Sequence, residues 1–161
     1  MQSRNGFSLI ELMAVIAIVA ILASIGYPSF QTLIMNNRMT SQTNALLGAF
    51  QLARSEAVTQ RQTITVCPSS DQATCSGNNW SLGVLVRRAD ASVVRVLPAA
   101  TGNTVTGTAS ITFATDGSTA NGGTLRICDS RGDSDSRTLL VNAGGQARSR
   151  TYQAGDAACP P

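Results

Sequence analysis

The chain has 161 residues, 43% of them hydrophobic but only 4% aromatic, so one domain plus an extra element is expected, with a core built on Leu, Ile, Val and Ala. Its net charge of +3, carried on arginines alone, is too small by itself to mark an obligate nucleic-acid binder. It has no histidine, which excludes Ser-His-Asp and Cys-His nucleophile arrangements and the common His-containing zinc sites, so no enzyme, cofactor or metal site is expected.

Residues 1–6 read Met-Gln-Ser-Arg-Asn-Gly, and an apolar stretch from Phe7 to Tyr27 follows, broken only by Ser8, Glu11, Ser24 and Gly26. As a helix, at about 1.5 Å per residue, it reaches roughly 30 Å, the thickness of a bilayer core. Arg4 keeps the short N-terminal end in the cytoplasm and places the rest on the periplasmic or outer side. Glu11 is out of place: a carboxylate inside an apolar span costs about 3 kcal/mol or more, which marks it as a functional candidate. The bland alternative is cheap solvation of Glu11 in the headgroup zone. A cleaved secretory signal is the competing reading of the stretch, but Ile21-Leu22-Ala23 is a poor cleavage site and the helical pattern runs on to about residue 60.

Pro28 falls inside that pattern and is expected to kink or loosen it. Beyond it Phe30, Leu33 and Ile34 share a face. After a polar patch from Asn36 to Thr43, the residues Leu46, Ala49, Phe50, Ala53 and Ala57 recur at helical spacing, a stripe read as core packing. From Thr63 the period changes. Strands are expected at 63–67, 80–86, 92–97, 110–114, 124–128 and 138–142, with a short final strand or arm at 146–151. Turns fall at 87–90, at Asp116-Gly117 and at Gly144-Gly145. The fold class is α+β: a long N-terminal helix, transmembrane in its first half and amphipathic in its second, packed on an antiparallel sheet domain. The expected divisions are 1–6 as a leader, 7–29 as the membrane-crossing part, 30–62 as the amphipathic part, and 63–161 as the β-rich domain.

The cysteines are Cys67, Cys75, Cys128 and Cys159, with no C-x-x-C pair, so redox-motif and zinc-ribbon readings are weak. Export past a membrane favours disulfides, and the pairing favoured here is Cys67–Cys75, closing a short loop, with Cys128–Cys159 pinning the C-terminus. Four buried thiols are the alternative. The acidic loop with Asp129, Asp133 and Asp135 invites a calcium reading, but it lacks the terminal Glu of an EF-hand, and Arg131 and Arg137 can neutralise it. The tripeptide Arg131-Gly132-Asp133 is too short to weigh.

Gly6-Phe7-Ser8-Leu9-Ile10-Glu11-Leu12 resembles the prepilin cleavage motif shared by type IV pilins and type II secretion pseudopilins. The resemblance implies that a prepilin peptidase cuts between Gly6 and Phe7. It also implies that the new amine of Phe7 is methylated and that Glu11 meets the amine of a neighbouring subunit in a filament. Ala53-Arg54-Ser55-Glu56-Ala57, Thr65-Val66-Cys67, Trp80-Ser81-Leu82-Gly83-Val84, Phe113 with Asp116-Gly117, and Thr124-Leu125-Arg126-Ile127-Cys128 resemble the GspH/FimT/FimU branch of minor pilins. The implied partners are the prepilin peptidase, other major and minor pilins, and the inner membrane before assembly. The implied location is a single inner-membrane pass with a periplasmic domain, followed by an extracellular pilus, with a type II secretion pseudopilin as the alternative.

Members of this branch often carry Gly-Arg-x-Arg near the C-terminus, linked in DNA-uptake pilins to DNA binding. Here Gln146 stands where the first Arg would be, Arg148 matches the second, and Arg150 is an extra one. On an extended strand these three share a face, where the two guanidinium groups, about 7 Å apart, could contact successive phosphates of double-stranded DNA. The other reading is a charged edge strand that blocks aggregation.

Overall fold

A computed structural model describes residues 8–160. The chain divides into two units, 1–36 and 37–161. One helix, α1 (Leu9–Gln60), crosses the division. The helix runs on through Pro28, which has no N–H to donate within it, and the Thr32 hydroxyl donates to the Pro28 carbonyl at 3.1 Å.

In the first unit nothing of α1 is buried. Leu9, Ile10, Leu22 and Ile25 are each at least 65% exposed, an apolar surface of the kind that marks a membrane or protein contact. It is a helix long and apolar enough to cross a membrane.

In the second unit α1 turns amphipathic. Its buried stripe is Leu46, Ala49, Phe50, Ala53 and Ala57, as the spacing predicts, and it begins earlier, at Met39 and Thr43 within the patch read as polar. Thr43 enters the core because its hydroxyl donates back to the Met39 carbonyl at 2.7 Å, so no buried donor is left unmade. Alanine at every fourth position keeps this ridge shallow, which allows close packing.

Eight strands follow: β1 (Ile64–Pro68), β2 (Val84–Arg88), β3 (Val93–Leu97), β4 (Thr104–Gly107), β5 (Ile111–Phe113), β6 (Gly123–Cys128), β7 (Arg137–Val141) and β8 (Ala147–Thr151). They form two four-stranded antiparallel sheets rather than one, in the orders β3-β2-β1-β5 and β4-β6-β7-β8. The strand expected over 80–86 is in fact a 3-10 turn, Trp80–Leu82, followed by β2. The Asn79 side chain caps the turn by accepting from the Ser81 amide at 3.0 Å. Arg87 and Arg88, read as turn, belong to β2. β4 is not among the strands expected from the sequence: Thr-Val-Thr-Gly holds one apolar residue, and it is Val105 alone that enters the core.

The core joins α1 to both sheets. Phe50 lies 6.0 Å from Trp80 and 6.4 Å from Phe113, centroid to centroid, with Leu125, Ile127 and Leu139 from the second sheet in the same cluster. Trp80 is buried with its indole N–H donating to the Thr108 carbonyl at 2.8 Å, which makes a polar-tipped ring affordable inside. The Asp116-Gly117 and Gly144-Gly145 turns are both present and meet each other. A Cβ on Gly145, at φ +72, would stand 1.9 Å from the Gly117 carbonyl oxygen, so only glycine fits there. Arg54 of α1 donates to that same carbonyl at 3.2 Å.

Candidate functional site

Gly6 and Phe7, the expected cleavage and methylation positions, lie outside the described residues. Glu11 is described: it sits in the first turn of α1, exposed among Ile10, Leu12 and Met13. A carboxylate there faces the positive end of the helix dipole. Among the described residues it makes no ion pair.

The structure pairs Cys67 with Cys75 and Cys128 with Cys159. Inside the first loop Asp71 accepts from the Ser69 hydroxyl and from the amide and hydroxyl of Thr74, and takes the Ala73 amide as well. The Thr74 hydroxyl bond leads the set that holds its carboxyl far below the usual range. The second disulfide ties the tail beyond β8 down on β6.

The two arginines of β8 alternate as expected, opposite Leu140 and Thr138 of β7. They are not equivalent. Arg150 makes a two-pronged ion pair with Asp156, Nη1 to Oδ2 at 2.8 Å and Nη2 to Oδ1 at 2.5 Å. These bonds, opposed in part by burial, bring the Asp156 carboxyl from 3.8 to about 2. Gln146 is held in the turn by Asn142, whose side-chain amide donates to it at 3.3 Å. Of the two arginines, Arg148 is the exposed one and makes no ion pair among the described residues. Arg131 and Arg137 add no free charge to the face of Arg148. Arg131 is clasped by Asp129 (2.6 Å) and reaches Asp135 (3.3 Å), and Arg137 lies in register with Ile127, on the opposite face from Arg148. Burial raises the Asp129 carboxyl, and the hydrogen bonds and charge of Arg131 outweigh it, leaving it below its ordinary value.

A cluster that the sequence reading missed lies beneath the tail. Arg126, on β6, is 4% exposed, yet it is a full charge. It donates to the Thr138 hydroxyl (2.9 Å), to Asp156 (3.2 Å) and to Asp133 (3.3 Å), and its guanidinium lies 4.7 Å from the centroid of the Tyr152 ring. Asp156 thus bridges two arginines. The alternation of β6 could have shown that Arg126 faces away from the core, but nothing local tells that residues 152–160 fold back to cover it.

With this geometry in hand, comparison decides the family. A model described as Type II transport protein GspH matches residues 42–145. The chain belongs to the GspH family. The prokaryotic N-terminal methylation motif matches residues 1–27, which implies processing by a prepilin peptidase and assembly with other pilins. No curated protein matches the chain significantly in sequence. Among solved structures, the type IV minor pilin FimU of Pseudomonas aeruginosa (strain PAO1) is similar at 22% identity, over 79% of this chain and 96% of that one, with a TM-score of 0.59. The minor pseudopilin EpsH of the Vibrio cholerae Type 2 Secretion System is similar at 12% identity, over 71% and 97%, with a TM-score of 0.53. These likenesses show the shared fold: a long helix on antiparallel sheets. The GspH family is one of minor pilins and pseudopilins, structural subunits of filaments.

Proposed function

We propose that this chain is a minor pilin of a type IV pilus. It is cut between Gly6 and Phe7, methylated on the new amine, held by one pass in the inner membrane with its domain in the periplasm, and then built into an extracellular filament that it primes or caps. The observation that carries this reading is Glu11, a carboxylate on an exposed apolar helix that makes no ion pair among the described residues. When such helices bundle, a carboxylate without a cation would be expelled, and the amine of Phe7 on an adjacent subunit supplies one. The pair sets axial register more than it adds stability.

Two features incline this reading to the pilus over the secretion pseudopilus: the pair of disulfides, and an edge strand that carries Arg148 and Arg150. Glu11→Val is expected to leave leader cleavage intact while the protein disappears from sheared filaments; normal incorporation of that variant sinks the reading. Deleting the gene in its host is expected to abolish surface pili and leave protein export unchanged. Loss of export with pili intact would assign the chain to a type II secretion pseudopilus instead.

A further inference from the structure

The outer face of the sheet β4-β6-β7-β8 holds a cavity of about 250 Å³ between the strands and the C-terminal tail, with Thr106, Thr108, Thr124, Arg126, Thr138 and Asp156 as its polar lining. Two facts set it apart from an ordinary surface hollow. Arg126 lines it at 4% exposure, and its Nε has no hydrogen-bond partner, a buried donor that proteins rarely leave unmade. The hydroxyls of half-buried Thr106 and exposed Thr124 make no hydrogen bond among the described residues and stay open to a ligand. The charges around it balance: Arg126 and Arg150 stand against Asp133 and Asp156 in one connected network.

We propose that this cavity binds a neutral, hydroxyl-bearing ring, one sugar unit of a glycan. The volume suits about one hexose. An anion would meet the Asp156 carboxylate, and a cation would meet Arg126. An apolar group would leave the Nε–H and two threonine hydroxyls unsatisfied. A sugar hydroxyl both donates and accepts, so one ring can accept a hydrogen bond from the Arg126 Nε–H, donate one to the Asp156 carboxylate and pair with hydroxyls of either sense. The site is independent of whether the filament is a pilus or a pseudopilus.

The test uses the full chain in phosphocholine micelles, which carry no sugar headgroup. Glucose, galactose, mannose and N-acetylglucosamine are each titrated while the Arg126 Nε–H and the amides of Thr124 and Thr138 are followed by NMR. At least one sugar is expected to shift these signals saturably and leave the amide of Val66 unmoved. Thr106→Val with Thr124→Val keeps branched strand residues of the same size, and it is expected to weaken that binding about tenfold or more by removing two hydrogen bonds. Thr124→Ser alone, which keeps its hydroxyl, is expected to retain it. If no sugar moves these signals, or if binding survives the double valine variant undiminished, the cavity holds only water and the proposal fails.

Discussion

Arg148 and Arg150 stand two residues apart on one strand, and their neighbours give them different fates. Arg150 is spent on Asp156, while Arg148 is open to solvent. Any contact of this edge with duplex DNA therefore rests on one guanidinium. In a titration against salt, the slope of log affinity against log salt is expected to stay near about −0.9, the value for one neutralised phosphate, and to vanish in Arg148→Ala. A slope of about −1.8 would show that DNA pulls Arg150 away from Asp156. The same ion pair has a pH signature. The Asp156 carboxyl titrates lower in the folded chain (about 2) than its ordinary 3.8, so the stabilisation is complete above the ordinary value and is lost as pH falls toward 2. Hydrogen exchange at the Gln153 amide, which donates to Asp156 at 3.0 Å, is expected to lose protection only in that acid window. Loss of protection at near-neutral pH would show that Arg150 does not hold the tail.

At the scale of elements, α1 serves two solvents in one continuous helix. Before Asn36 its apolar residues face outward, and after Met39 they form a single stripe with Phe50 at its centre. Phe50 touches Trp80 and Phe113 and thereby ties the helix to both the 3-10 turn and β5. Phe50→Ala is expected to lower the unfolding free energy by about 3–5 kcal/mol in denaturant titrations, the range for a large buried ring replaced by a cavity. A loss under about 1 kcal/mol would mean that the helix docks on the sheets without it.

For the molecule as a whole, the Cys128–Cys159 bond decides whether residues 152–160 are tail or structure. It closes a loop with a sequence separation of 31, for which loop entropy gives about 3–4 kcal/mol. Cys128→Ser with Cys159→Ser is expected to cost about that much in denaturant and to expose Arg126 to solvent. Unchanged stability would mean that the Arg126–Asp156–Arg150 network is enough to hold the tail without the covalent link.

Much of this was legible in the chain. The span from Phe7 to Tyr27, the misplaced Glu11, the stripe from Leu46 to Ala57 and most of the strands follow from periodicity, because membrane depth and sheet pleat each impose a pattern on neighbouring residues. Even Asp116-Gly117 and Gly144-Gly145 announced their turns, since few other residues reach those backbone angles. What the tertiary structure alone decided depends on residues far apart in sequence. β4 exists because β6 offers it a ladder, not because Thr-Val-Thr-Gly favours a strand. The strands split into two sheets because both must cover one helix. Arg126 is buried because the tail that carries Asp156, thirty residues on, folds back over it; no local pattern records a partner that far away.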